Sequence, residues 1–181
     1  MRLAPSVFME STVWTPEMCE VVIESALLEE EHRGTVEQDG EKGERIDIRS
    51  CSRFFIDSAI HPQIVGAVWD ACRRNNVWGF DIQQLPSIEV IRYKPGDFYT
   101  KHTDWGGTYV NRKISTTVQL SSPDDYEGGE VNLHIGPEDF EVSKEKGVAT
   151  IWPSWSLHSV NPVTDGERWC AVGWVLGPLF R

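Results

Sequence analysis

His102 and Asp104 stand two residues apart, and a lone His158 follows far downstream with Arg168 ten residues beyond it. On an extended strand, residues i and i+2 project to one side, so this pair would present an imidazole and a carboxylate together. A histidine from a distant strand would complete two nitrogens and one carboxylate on one face of a metal ion. That set suits non-haem Fe(II), because the opposite face stays open for further ligands. Arg168 adds a rigid, two-pronged cation next to the apolar Trp169, Ala171 and Val172. Such a guanidinium needs an anionic partner, and a dicarboxylate supplies one.

A bare His-x-Asp occurs by chance in many chains, so its surroundings carry the argument. Tyr93-Lys94-Pro95-Gly96-Asp97-Phe98-Tyr99 supplies a turn and a short aromatic strand leading into the pair, and Trp105-Gly106-Gly107 breaks the strand after it. His158 opens a strand after the turn that begins at Trp152. The ligands would then lie at strand ends, where a barrel mouth opens. The other histidines read differently: His32 at a helix end, where a partly charged imidazole suits the dipole, His61 in a turn before Pro62, and His134 at a solvent-facing or edge position.

The positioning elements come in two groups. Thr15-Pro16-Glu17 reads as N-cap, first-turn proline and favourable acid, and predicts a helix running to about His32 and stopping at Gly34. A second helix opens near Pro62 with Ile64, Val65, Val68, Trp69 and Cys72 at helical spacing, and Asn75-Asn76 ends it. Strands are predicted at Ile88 to Tyr93, Ile114 to Leu120, Gly129 to Ile135, Gly147 to Trp152 and Trp169 to Leu176. Helices first and strands later indicate an α+β, mainly β fold: a double-stranded β-helix, or jelly roll, with N-terminal helices packed on one sheet. One domain over 1–181 is expected, with helical support at about 15–76 and the jelly-roll core at about 85–177. Between Gly34 and Glu44 three glycines lie among charges, which predicts a mobile surface hairpin or a flap over a site.

Cys19, Cys51, Cys72 and Cys170 lie far apart without a Cys-x-x-Cys, so neither a structural zinc site nor a disulfide framework is indicated. The N-terminal segment has no apolar run of signal-peptide length, and no later stretch approaches the ~20 apolar residues that cross a bilayer. A soluble, reduced, cytoplasmic setting with no membrane partner is expected. The net charge of −11, from 17 basic and 28 acidic residues, argues against a nucleic-acid partner. The acidic runs Glu29-Glu30-Glu31 and Asp124-Asp125 read as a solvated helix end and a charged turn.

His102, Asp104, His158 and Arg168 together resemble the 2-oxoglutarate and Fe(II)-dependent dioxygenases, over about Ile88 to Gly177. Several positions resemble the prolyl 4-hydroxylase branch. Tyr93 and Tyr99 precede His102 by nine and three residues, Gly128-Gly129-Glu130 is similar to the glycine-pair turn after the core strand, and Trp174 and Arg112 resemble residues beside the substrate peptide. The chain departs from animal oxygen-sensing prolyl hydroxylases at Gln119, where those enzymes carry tyrosine. Thr117 or Gln119 would replace that contact, Thr117 being favoured for its hydroxyl. Arg168 stands in place of the lysine of collagen-type enzymes, so no collagen-like substrate is implied.

The resemblance implies Fe(II) on His102, Asp104 and His158, with 2-oxoglutarate held by Arg168, Tyr93 and Thr117 or Gln119. It also implies O2 as oxidant, ascorbate as a candidate reductant, and succinate and CO2 as co-products. Halogenating relatives lack the carboxylate, so Asp104 favours hydroxylation. Trp14, Trp69, Trp78, Trp152 and Trp169 read as core, whereas Trp105, Trp155 and Trp174 adjoin ligand or anchor positions and can stack a proline ring. A proline-containing protein or peptide is the leading substrate class, held by Tyr99, Arg112, Trp174, Trp105 and Trp155. The alternatives are a free amino acid or small metabolite, and a non-catalytic module that binds metal or a carboxylic acid. Nucleic-acid demethylases of the superfamily carry a second arginine where this chain has Trp174.

Overall fold

The computed structural model describes residues 7–38, 41–137 and 139–179. Helix α1 spans Pro16–Leu27, and the Thr15 side chain caps it by accepting the Met18 amide. It ends several residues before His32. Glu29-Glu30-Glu31 would place three like charges at the negative end of the helix dipole. The chain instead turns at Leu28, whose amide bonds back to the Ser25 carbonyl, and Glu31 reaches Ser52 and Arg92. His32 thereby enters a strand rather than a helix end. Helix α2, Pro62–Arg74, matches its expected span, and Asn75 closes it with both its amide and its side chain on the Ala71 carbonyl.

Two antiparallel sheets face each other as a jelly roll. In the seven-stranded sheet, β1 (Met9–Thr12), β13 (Val148–Pro153), β9 (Arg112–Gln119), β16 (Arg168–Leu176), β7 (Ser87–Tyr93), β6 (Ser52–Asp57) and β2 (His32–Arg33) follow one another in space. The five-stranded sheet runs β12 (Phe140–Glu141), β11 (Val131–Leu133), β14 (His158–Val160), β8 (Phe98–His102), β5 (Arg49–Ser50). β10 (Tyr126–Gly128) pairs with β15 (Val163–Gly166) in a separate ribbon. β3 (Val36–Gln38) and β4 (Glu41–Gly43) make a hairpin inside the glycine-rich segment; its turn, Asp39 and Gly40, lies outside the described residues. So do residues 1–6 of the N-terminal segment and the last two residues of the tail. Among the described residues, no helix is long and apolar enough to cross a membrane.

The period of two along the large sheet builds two cores. Ile114, Val118, Leu120, Ala171, Val175, Ile88 and Val90 face the helices, where Cys19, Val22, Ala26, Ile64, Val65 and Val68 cover them. Ile91, Tyr93, Trp152 and Cys170 face the small sheet and meet Val131, Leu133 and Val160. The same alternation buries Ser115, Thr117 and Gln119, the residues of β9 between those that face the helices. Strand β6 escaped the sequence reading because its Arg53 is buried in an ion pair with Glu89, which hides the apolar alternation.

Gly147 ties the helical layer to the core strand. Its carbonyl accepts from Val13 and Trp14, its amide donates to Gln119, its φ is +83°, and a side-chain carbon there would lie 2.0 Å from the Trp14 carbonyl. Gly147→Ala is expected to cost about 2–4 kcal/mol, from strain and clash together. Its denaturation midpoint in urea should fall clearly below that of the parent, and an unchanged midpoint would contradict this account.

Candidate metal centre

β8 and β14 are neighbours in the small sheet, and their register sets His102 directly opposite His158. Asp104 follows the end of β8, and its amide donates to the Ser154 carbonyl at 2.9 Å, which holds it beside the turn that delivers His158. The Asp104 carboxylate oxygens lie 3.4 Å from His158 Nε2 and 3.9 Å from His102 Nε2. One ligand atom from each of the three residues falls within 4.8 Å of the others.

The hydrogen bonds at the far side of each ring decide what these atoms are. His102 Nδ1 lies 2.8 Å from the Thr100 carbonyl, and His158 Nδ1 lies 2.9 Å from the Ser156 carbonyl. A carbonyl only accepts, so Nδ1 carries a proton in both rings and Nε2 is the nitrogen turned toward Asp104. Burial, then the neighbouring His158, holds His102 down to about 3, which keeps it neutral. Burial alone would raise Asp104, but His158, His102 and the Ser115 hydroxyl outweigh it and leave the carboxyl below its usual range. The Nε2 atoms of two imidazoles and an anionic carboxylate therefore converge. A divalent cation satisfies all three, and the donor set fits Fe(II) with open positions.

A half-open cleft adjoins the three candidate ligands. Its walls are the apolar Ile91, Val131, Trp152, Val160, Cys170 and Val172. Arg168 also lines it and is only 1% exposed. The Arg168 Nη2 donates to Gln119 Oε1 at 3.0 Å, while Nε and Nη1 have no hydrogen-bond partner among the described residues. Thr117 Oγ1 is likewise buried and unpartnered in the cleft. Tyr93 lies with its ring centre 5.4 Å from the guanidinium carbon, and burial pushes its hydroxyl well above the usual tyrosine range, so it stays a donor. A buried cation with unused donors and two hydroxyls beside it form a site for a carboxylate. Gln119 holds Arg168 and is not among the residues lining the cleft, whereas Thr117 is.

At the mouth, the Tyr99 ring stacks on His102 with centroids 3.5 Å apart. Arg112 is sandwiched between Tyr109 and Trp174, at 3.8 and 4.0 Å from their ring centres, and its Nη1 donates to the Asp104 carbonyl. Trp174 lines the cleft. Trp105 and Trp155 are 40% and 42% exposed and are not among the lining residues; the Trp105 indole donates to the Val110 carbonyl, and Trp155 packs edge-on against Phe80. His134, expected at a solvent-facing or edge position, follows the end of β11 with its side chain 9% exposed, held between Asp139 and Ser159.

Residues 88–176 match the family model described as the 2OG-Fe(II) oxygenase superfamily. The matched stretch, just under half of the chain, is similar to that superfamily. A PKHD-type hydroxylase from Sphingopyxis alaskensis is 37% identical over 93 residues, covering 48% of this chain and 42% of the relative. One from Gloeothece citriformis is 32% identical over 121 residues, covering 64% of this chain and 55% of the relative. The chain thus spans about half the length of these curated relatives. Among solved structures, a Pseudomonas putida prolyl-4-hydroxylase superposes with a TM-score of 0.76 at 18% identity, covering 95% of this chain and 93% of that one. A Trichoplax adhaerens prolyl hydroxylase in complex with a hypoxia inducible factor peptide fragment gives 0.74 at 15% identity, covering 94% and 84%. At such identities these two likenesses establish the fold alone.

The cleft contains one charged residue the sequence reading missed. Arg49, on the two-residue β5, is 6% exposed, lies 4.7 Å from the Tyr99 ring centre, and shares Glu89 with Arg53. A two-residue strand after a charged, glycine-rich segment carries no periodicity to find. Trp152 and Cys170 were also missed as lining residues. For Cys170 a signal existed, since Arg168, Cys170, Val172 and Trp174 alternate along one strand and share a face.

Metal-stripped protein should gain stability on adding a divalent ion, because the three converging acceptors find their partner. At an ion concentration near 100 times its Kd, the melting temperature should rise by about 5–10 °C. Asp104→Ala and His158→Ala should show little rise, and an equal rise in either would place the ion elsewhere.

Proposed function

We propose that the protein is a 2-oxoglutarate and Fe(II)-dependent dioxygenase that hydroxylates a C–H bond, with a prolyl residue of a protein or peptide as its target. The observation that carries this reading is the meeting of three convergent metal-ligating side chains, His102, Asp104 and His158, with the buried Arg168, whose Nε and Nη1 have no partner among the described residues, in one cleft. Bound iron supplies oxygen activation coupled to decarboxylation of 2-oxoglutarate, giving succinate and CO2. His102, Asp104 and His158 would hold the ion. Arg168, with Tyr93 and Thr117, orients 2-oxoglutarate through its distal carboxylate, and the apolar walls exclude water from the reacting atoms.

Tyr99, Arg112 and Trp174 are assigned to the substrate, Arg112 offering donors to peptide carbonyls and Trp174 an indole face for a proline ring. Trp105 and Trp155 are assigned to the outer rim, where residues flanking the proline would pass. The likeness in fold to prolyl hydroxylases, one of them holding a peptide, supports a peptide substrate. A free amino acid or small metabolite is the second reading, favoured by the position of Trp105 and Trp155 outside the cleft lining. The net charge of −11 weighs against nucleic acid. The four cysteines are free and buried, which suits a reducing, cytoplasmic setting, and ascorbate is assigned as a dispensable reductant.

Succinate release, measured with Fe(II) and 2-oxoglutarate against proline-containing peptides and free amino acids, tests activity and substrate together. Peptide-dependent succinate with a hydroxyl mass increment on proline is expected. Vigorous turnover of a free amino acid with no peptide modified would overturn the peptide assignment. Arg168→Gln should weaken 2-oxoglutarate binding on the order of 100-fold by removing a buried charge partner. Trp174→Ala should raise the peptide KM while leaving the affinity for 2-oxoglutarate near the parent value.

A further inference from the structure

The segment from Tyr126 to Glu130 supplies none of the metal ligands, yet its placement is closely specified. β10 pairs with β15 alone, apart from both main sheets, and β15 leads through Glu167 straight into Arg168. Two glycines let these backbones touch: a side-chain carbon at Gly128 would lie 2.2 Å from the Pro162 carbonyl, and one at Gly166 would lie 2.1 Å from the Asp125 carbonyl. At Gly129, with φ +64°, it would lie 3.0 Å from Arg168 Cδ and 3.4 Å from the Tyr126 ring. The turn therefore packs onto the aliphatic stem of Arg168 on one side and onto Tyr126 on the other.

Tyr126 is 6% exposed, and its hydroxyl has no hydrogen-bond partner among the described residues. Lys144 sits over its ring at 5.6 Å and is itself tied to Glu130 and to the Gly128 carbonyl, so the ring has little freedom to leave. Next to it stands a guanidinium whose Nη2 is taken by Gln119 while Nε and Nη1 are unused. A buried phenol without a partner beside a buried cation with spare donors is a matched pair of deficits, and each group left alone costs about 1–3 kcal/mol. Burial opposes the charge on Arg168, but its neighbours Cys170, Tyr93 and Tyr126 outweigh it.

We propose that Tyr126 is a positioning residue for Arg168, its hydroxyl accepting from the guanidinium edge that Gln119 leaves free and so aiming the remaining donor at the carboxylate of 2-oxoglutarate. Gly129 makes this possible by leaving room for the arginine stem. The proposal rests on the reading of Arg168 as the 2-oxoglutarate anchor.

The test is Tyr126→Phe, which keeps the ring and removes only the hydroxyl. Under anaerobic conditions, Fe(II) affinity and 2-oxoglutarate affinity are measured separately, the second by the visible charge-transfer absorption of the ternary complex. The variant should bind 2-oxoglutarate about tenfold more weakly with Fe(II) affinity within about twofold of the parent. Gly129→Ala should weaken 2-oxoglutarate in the same direction. In an Arg168→Lys background, Tyr126→Phe should add less than about a twofold further loss, because the acceptor has lost its guanidinium. Unchanged 2-oxoglutarate affinity in Tyr126→Phe, or equal losses for iron and 2-oxoglutarate, would overturn the positioning role. Parent-like 2-oxoglutarate binding by Arg168→Gln would instead sink the anchor reading on which it rests.

Discussion

The pairing of β8 with β14 is the constraint on which the site depends. It sets His102 opposite His158, and the ladder is irregular between His158 and Val160. A slip of one residue would turn either imidazole to the opposite face of the sheet. Several features hold the register. His134 and Ser159 link the chain after β11 to β14, the Asp104 amide bonds the Ser154 carbonyl, and each imidazole bonds the carbonyl two residues before it. The same two-residue return at His102 and at His158 aims both lone pairs inward, so one local device, used twice, prepares the metal site.

Charge is distributed against the grain of the composition. The chain carries a net charge of −11, yet its interior buries Arg49, Arg53 and Arg168, with only Glu89 among the buried acids near them. Arg53 contacts both Glu89 oxygens at 3.2 Å, and Arg49 stands 3.8 Å from one of them, so a single carboxylate serves two cations. Arg168 has no acidic partner among the described residues, and its Nη2 donates to the neutral Gln119. An excess of cation inside an acidic shell favours anions that enter the cleft, and low-dielectric walls strengthen that attraction.

This arrangement works against the stability of the empty protein. Three metal-ligating atoms meet at the candidate site, and Arg168 and Thr117 keep buried hydrogen-bonding atoms without a partner among the described residues. The helical layer and its apolar face on the large sheet bear that cost. Ligands that supply a cation and a carboxylate would stabilise the native state while assembling the site, so binding and folding are coupled by the same interactions.

Much of the site was legible in the chain because its parts are local. His102-x-Asp104 on a strand end, His158 after a turn, and the period-two face of Arg168, Cys170, Val172 and Trp174 are properties of a few neighbouring residues. So were the capped start of α1 and the whole of α2. Strand β6 and the inward role of Arg49 were hidden, because a buried arginine looks like a surface residue until its carboxylate partner arrives from another strand. The end of α1 was misjudged for a similar reason: pattern alone continues the helix, and only pairing with Arg53 and Ser52 draws His32 and Arg33 into the sheet. By itself, then, the sequence determined which candidate residues, two histidines, an aspartate and an arginine, meet at the cleft, and the mainly antiparallel fold. Tertiary structure decided the tautomers, the partner of Gln119, the rim position of Trp105 and Trp155 and the cradle around Arg168. These depend on contacts between distant segments, which spacing along a chain does not encode.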